Sequence, residues 1–596
     1  MTVTVRGRPA VVAAVLVVCF VVVRVWLAAH GGFYWDDLRF IARAGAQQWW
    51  SPSYLFADQD GHLMPGAFLV AGLSTRAAPL SWVIPATTLV VLAALAAAAV
   101  WRMLTILLRA GGREPGWAGP MSLAAFLFTP LAVPASLWWS AALNALPLQA
   151  ALAWVIGDAV LMAGGTVDRR RLVIRAVLVY LMGLAFFEKS MVIPFAAAAV
   201  VVVSAATVGV SVRTALRRTA TLWGSLIAVT VVWLGIYWAV AGPGAGEHTA
   251  AQTWTLWWRT VERGLIPSLV GGPWRWERWV PSPPFAQPAG WMIAAGWVIL
   301  AAAVGWLLVR RVHGWTLPVL LVGYLVVSQV PPLWFRSSAD TAPELAQTMR
   351  YLPDVAVLLA ALIAVASAGR SRSVGRGFGR VPRAAVTGLM CCLVVSGLVS
   401  TIGFARSWDR NPTADYLSTA RTSLADADVP RILDQPLPLE VLLPVAYPDN
   451  QAGRVFAALD RRPHIGDWAD APLRVLDTRG HLAPGTVTPA RTFGAGQGTC
   501  DRPEVTTPTT VALSGPLLRW RWTVEIPYCA TIAGRMDVGL TSSRTVSVPV
   551  RPGLHVVYVQ MDGEGIDLRI HPVTAGLALH LGGGTVGEVA QASLVP

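Results

Sequence analysis

Asp36 and Asp37 stand side by side in the run Gly31-Gly32-Phe33-Tyr34-Trp35-Asp36-Asp37, directly after a long apolar segment from Pro9 to Ala29. Acids at the edge of hydrocarbon are costly to keep ionised, so a pair held there is a candidate for acid–base chemistry rather than decoration. Asp58-Gln59-Asp60-Gly61-His62-Leu63-Met64-Pro65 follows; its two carboxylates and imidazole could hold a divalent metal ion, with Asp58 and Asp60 as ligands. Cations enter with Phe186-Phe187-Glu188-Lys189-Ser190 and with Arg350-Tyr351-Leu352-Pro353. Lys189 is the sole lysine, the other 46 of the 47 basic residues being arginines. A compact ammonium kept in so arginine-biased a chain is either a needed point charge or half of a neutral Glu188–Lys189 pair capping a hairpin. Solvated loop acids and an interfacial histidine are the plain alternatives for Asp36, Asp37 and His62.

The elements that position these residues are membrane helices. A hydrophobic share of 55%, a charged share of 13% and a mean hydropathy of +0.55 exclude an ordinary soluble domain. Apolar runs of spanning length are expected at 9–30, 80–108, 119–137, 143–164, 172–187, 191–208, 220–241, 289–309, 315–334, 352–368 and 384–404, eleven in all. The net charge of +14 does not indicate nucleic acid, because the arginines sit in short gaps between spans: Arg109 and Arg113, Arg169 to Arg175, Arg213 to Arg218, Arg310 and Arg311, and Arg370 to Arg383. That is the bias of cytoplasmic loops facing anionic lipid. Most acids before residue 404, Glu247 among them, fall in the opposite loops. The expected topology is a multi-pass plasma-membrane protein with a cytoplasmic N-terminus and everything after Phe404 extracytoplasmic. Residues 172–212 lie between two arginine clusters and must cross twice, leaving Glu188-Lys189 at the outer apex.

Three domains are expected: a transmembrane domain over 1–404, a small α/β region over 405–490 with a helix at Ala414 to Ala425 and a strand at Leu439 to Leu443, and a β-sandwich over 491–596 that could bind carbohydrate. The sandwich rests on alternating runs such as Leu518 to Val524, Val546 to Val550 and His555 to Val559, with turns at Arg551-Pro552-Gly553 and Asp562-Gly563. Cys19, Cys391 and Cys392 are packing residues, whereas Cys500 and Cys529 lie where oxidising conditions permit a disulfide. Of the 28 tryptophans, those on the outer side read mainly as an interfacial belt, a minority as stacking platforms for a sugar or lipid. An amphipathic interfacial helix is expected near Trp254 to Arg263.

Over roughly residues 9–404 the chain resembles the GT-C superfamily of integral-membrane glycosyltransferases, which use polyprenyl-phosphate or polyprenyl-pyrophosphate sugar donors. Asp36-Asp37 match that superfamily's acidic pair after the first span, His62 with Pro65 its His- or Lys-Pro element, and Arg350-Tyr351 its Arg-Tyr element opening a late span. The chain departs in having Leu63-Met64 before Pro65, and Pro353 one step early. The resemblance implies a membrane glycosyltransferase on the outer face, moving a sugar to a cell-envelope glycan, lipid or protein acceptor. Asp36 would be the base with Asp37 supporting it, Lys189, Arg350 and His62 would contact the donor phosphate, and Tyr351, Trp35 and Glu188 the substrate. The abundant Ala, Val, Arg and Gly suit a GC-rich, actinobacterial genome. A lipid-linked-glycan transporter, or a non-catalytic envelope-assembly protein, is the competing reading; a transporter would gather polar groups near the midplane, whereas here the charges gather on one side and Asp158 is one of few acids inside a span.

Overall fold

The computed structural model describes residues 8–112, 114–165, 168–242, 248–372, 383–494, 500–501 and 504–592. Arg113, Glu247 and the arginines between 373 and 382 therefore lie outside the described residues. The chain forms two compact units, Met1–Phe40 with Gln47–Asn411, and Ile41–Ala46 with Pro412–Pro596.

Each expected span coincides with a helix of the first unit: Arg8–Ala29, Val83–Ala110, Ala118–Leu127, Trp139–Gly164, Arg169–Phe186, Ile193–Val208, Val212–Ala241, Gly290–Arg310, Thr316–Trp334, Pro353–Ala368 and Arg383–Trp408. Eight of the helices among the described residues are long and apolar enough to cross a membrane. The first presents Val11, Val15, Val18 and Val22 outward at 54–63% exposure, at the three- and four-residue spacing of one lipid-facing stripe. The span expected at 119–137 is shorter. Its helix stops at Leu127, because Pro130 and Pro134 have no N–H to continue it, and two 3₁₀ turns, Pro130–Ala132 and Pro134–Ser136, replace the rest. The last helix runs on to Trp408, moving the break between units from the expected 404/405 to 411/412.

Asp158, fully buried, is neutralised within the bundle. Arg175 donates to it through Nε (2.9 Å) and Nη2 (2.5 Å), and Arg102 through Nη2. The arginines of the short gaps do local work as well, because the last carbonyls of a helix lack partners. Arg218 Nη1 donates to the carbonyls of Ala163 and Gly164 (3.0 and 3.3 Å), Arg311 Nη1 to that of Gly369 (2.8 Å), and Arg372 Nη1 to that of Leu308 (2.9 Å), each at a helix C-terminus. The Arg370 N–H reaches the Thr207 carbonyl at 2.9 Å.

The long loops are themselves helical. Residues 31–79 contain Asp36–Ala46, Pro52–Leu55 and Pro65–Ala77, and the helix expected near Trp254 is Ala250–Arg259, continued by a π-turn, Thr260–Leu265. Between Arg169–Phe186 and Ile193–Val208 the chain reverses through a 3₁₀ turn, Glu188–Val192.

In the second unit the expected helix is present as Thr413–Ala425. Leu439 to Leu443 is a turn instead of a strand: between Pro438 and Pro444, the Val441 and Leu442 N–H groups both close back on the Pro438 carbonyl (2.9 and 3.1 Å). The β-region is one hydrogen-bonded ten-stranded sheet, not two. Its core, with Val524, Ile526, Met536, Val538, Val559 and Ile570 all buried among its own strands, requires the sheet to curl on itself. Strands from both expected C-terminal regions join it, since Trp468–Asp470, Arg474–Leu476 and Leu482–Phe493 pair within it. Asp562-Gly563 is no turn. It lies inside the strand Gly553–Pro572, where the register against Thr509–Ala530 shifts on either side of Gly565, whose φ of 135° glycine alone adopts readily.

Cys500 and Cys529 form a disulfide across a separation of 29 residues, and Cys19, Cys391 and Cys392 are free. Protein denatured without reductant should thus titrate three thiols. The pair Cys500→Ser/Cys529→Ser should cost the β-rich unit about 3.5 kcal/mol in denaturant unfolding, by loop-closure entropy; an unchanged midpoint would show that the bridge constrains nothing.

Candidate active site

Helix Asp36–Ala46 begins at Trp35, whose φ of 44° turns the chain sharply out of the preceding segment. The two acids of its first turn then part company. Asp37 is fully buried, and its carboxylate accepts the N–H of Tyr34 (3.0 Å) and of Ser140 (2.8 Å), tying the helix start to the first turn of Trp139–Gly164. Burial raises its pKa to about 7 against those hydrogen bonds. Asp36 instead faces a cavity shared with Gln59, Asp60, His62, Trp138, Asn144, Arg336, Arg350 and Tyr351. Gln59 Nε2 donates to its Oδ1 at 3.2 Å and Arg39 Nη1 stands 3.6 Å from the same oxygen. Among the described residues Oδ2 has no hydrogen-bond partner. The side chain keeps 24% exposure and lines the cavity. Burial raises the Asp36 pKa, against the pull of Arg39 and Arg350, which makes it a stronger base than a solvated aspartate.

The cavity also has cationic lining. Arg350 lies 5.2 Å from the Trp138 ring centre and 4.8 Å from that of Tyr351, with its Nε buried and unpartnered. Arg336 Nη2 donates to His62 Nε2 (3.0 Å), so that Nε2 is the acceptor and the Nδ1–H donates to Glu188 Oε1 at 2.6 Å. His62 is therefore a neutral imidazole strung between a carboxylate and a guanidinium. Burial would raise the Tyr351 hydroxyl, yet Arg350 and Arg336 outweigh it and hold that pKa below its ordinary value. Trp138 is buried, unlike Trp50, Trp254 and Trp279, whose exposures of 56–62% suit a belt.

The structure thus brings together Asp36, His62, Arg350 and Tyr351, with Glu188 behind His62. It does not bring Asp37, Lys189, Trp35 or Asp58 to the cavity wall. Lys189 is not paired with Glu188. Its buried ammonium donates to Asp354 Oδ1 (2.8 Å) and to the Tyr351 carbonyl (2.7 Å), while Tyr324 donates to Asp354 Oδ2 (2.7 Å). Arg336 was not singled out by sequence reasoning, although it and Arg350 are the two basic residues of the 335–351 loop. Gln59 and Asn144 were missed too; a neutral amide carries no pattern that marks it.

The residues expected to hold a metal do not fit one. Asp58 Oδ1 accepts the Gly61 N–H (2.9 Å) and Asp60 Oδ2 is paired with Arg39 Nη1 (2.7 Å), an ion pair that outweighs burial and lowers the Asp60 pKa. Among the described residues no three His, Cys, Asp or Glu side chains are arranged to hold a metal ion.

Asp37→Asn should separate scaffold from chemistry. Its carboxyl pKa, near 7 in the folded state, lies above the unfolded value of 3.8. Its contribution to stability is therefore complete below pH 4 and is lost as the pH rises through about 7. The Asn variant should flatten this decline in thermal unfolding between pH 4 and 7.5; an unaltered slope would place the titration elsewhere.

The fold is that of a polytopic helical membrane protein with a curled β-rich C-terminal unit, and the site is a carboxylate facing arginines across an aromatic-lined cavity. No protein-family model and no curated protein matches the chain. Among solved structures it is similar to ArnT from Cupriavidus metallidurans bound to undecaprenyl phosphate, at 12% identity over 76% of this chain and 89% of that one, with a TM-score of 0.44. The apo state of that protein gives 12%, 76%, 85% and 0.42. The arabinofuranosyltransferase AftD from Mycobacteria gives 13% identity over 98% of this chain and 58% of that one, with a TM-score of 0.36. At such scores, below 0.5, function has to be argued from the chain's own residues.

Proposed function

We propose that the chain is a membrane glycosyltransferase that moves a sugar from a polyprenyl-phosphate donor to a hydroxyl of a cell-envelope acceptor on the outer face of the plasma membrane. The observation that carries this reading is Asp36 Oδ2, free of hydrogen bonds among the described residues, in a cavity also lined by Arg336, Arg350 and Tyr351. Asp36 Oδ2 takes the acceptor proton as the acceptor oxygen bonds to the anomeric carbon. The bond from that carbon to the phosphate oxygen breaks, and the electron pair leaves on the lipid phosphate beside the two guanidiniums. His62 holds Arg336 in place. No step needs a metal from the residues present.

A second cavity, of about 420 Å³, supports a lipid-borne donor. Ala356, Leu359, Ala360, Ile363 and Ser367 of Pro353–Ala368 line it, one helix face about 16 Å long that starts little more than a turn below Tyr351. An apolar cleft on the helix that follows Arg350-Tyr351 suits the prenyl chain of a donor whose phosphate meets the cationic pocket. Asp158, held between two arginines, offers a transported solute no open group at depth.

Turnover of a panel of polyprenyl-phosphate sugars by the purified protein, followed as release of polyprenyl phosphate, tests the reading; no release from any donor would reject it. The outer location rests on the arginine clusters. Impermeant thiol reagents added from outside should label cysteines placed in 248–288 and after Asn411, and should miss one at Arg372. Labelling at Arg372 would put the site on the cytoplasmic face.

A further inference from the structure

The hydrogen bonds of the cavity leave a particular set of atoms without partners. Gln59 is 2% exposed, and its Nε2 is committed to Asp36 Oδ1, which fixes the amide so that Oε1 is left as a buried acceptor with no donor. Asn144 also lines the cavity, and its Oδ1 is buried and, among the described residues, unpartnered as well. Buried polar atoms are rarely left unsatisfied, and two acceptors lining one cavity call for a ligand that brings donors. The ionised phosphodiester and the prenyl chain of a lipid-linked donor bring none. The hydroxyls of a sugar do, and a hydroxyl bound by Gln59 lies beside the carboxylate that does the proton chemistry.

We propose that Gln59 is a specificity-determining residue. Its Oε1 accepts a hydrogen bond from one ring hydroxyl of the sugar held at Asp36, and Asn144 Oδ1 accepts a second. The inference rests on the glycosyltransferase reading and adds to it how the site reads the sugar. A pocket built to accept from a substrate hydroxyl discriminates strongly against the analogue lacking it, because the buried acceptor is then left bare. Gln59 thereby couples recognition to chemistry, since one amide orients the base with its N–H and checks the substrate with its carbonyl.

The test uses full-length protein, the best donor and acceptor from the panel, and their monodeoxy analogues. Wild-type kcat/KM should fall roughly 10- to 100-fold for the analogue missing the hydroxyl read by Gln59. In Gln59→Met that penalty should shrink to within about threefold, while the penalties at other positions persist. Asn144→Leu should erase the penalty at a different position, which keeps the test decisive should Gln59→Met fail to fold. If both variants fold and lower turnover by one common factor on every analogue, the amides serve only to shape the pocket and the proposal is overturned. Equal wild-type turnover of all deoxy analogues overturns it too, leaving the glycosyltransferase reading intact. Absence of wild-type turnover on the whole panel instead overturns that reading, and this one with it.

Discussion

Asp36→Asn is expected to lower turnover by 10²- to 10⁴-fold while donor affinity stays within about threefold of wild type. The substitution keeps the shape and the contact that Gln59 Nε2 makes at 3.2 Å, and removes the lone acceptor for the incoming proton. The loss falls on the transition state, so it appears in kcat. Arg350→Ala and Arg336→Ala should show the opposite pattern, with weakened donor binding, since each deletes a charge facing the phosphate. Turnover by Asp36→Asn close to wild type would end the assignment. Asp37 would be a poor substitute, because it does not line the cavity and both its oxygens already accept backbone N–H groups.

Lys189→Met is expected to destabilise the protein by about 3–5 kcal/mol, with most of that loss recovered in Lys189→Met/Asp354→Asn. The pair is buried, at 5% and 1% side-chain exposure, so removing the ammonium strands a carboxylate held by Tyr324 alone. Neutralising both partners removes the stranded charge. Because Lys189 Nζ also holds the Tyr351 carbonyl, the single variant should loosen Arg350-Tyr351 and so raise KM indirectly. A lysine touching the donor phosphate would behave otherwise, with affinity lost at unchanged stability and no rescue by the second change. Thermal unfolding and donor binding on the same samples distinguish the two.

These variants mark where the sequence could be read and where it could not. The helices were legible because hydrocarbon thickness asks a long apolar run of each crossing, a length that eight of them reach, and the prolines that shorten Ala118–Leu127 act only locally. Asp36, His62 and Arg350 were legible because each lies in a loop between spans on the same side, which confines them to one end of the bundle. The division of labour between Asp36 and Asp37 was not, because it depends on which carboxylate meets the Ser140 N–H, a contact 103 residues away. Lys189 was noticed for its rarity and misjudged for its partner, since Asp354 lies 165 residues on and is brought beside it by helix packing. Alternation fixed the strands of the β-rich unit, but a bulge at Gly563 to Gly565 and a turn after Pro438 use the same residues as their opposites.

The arginines at the helix ends give each guanidinium two successive occupations. In a chain newly threaded into the bilayer, Arg218, Arg311 and Arg372 are unattached charges, and they hold their loops on the side where they emerge. Once the bundle closes, the same groups bind the carbonyls of Gly164, Gly369 and Leu308. Orientation is then no longer kept by the membrane's surface charge but by bonds that a flipped helix would have to break. A lysine could perform the first task, yet its single ammonium lacks the planar fork that reaches a neighbouring helix end.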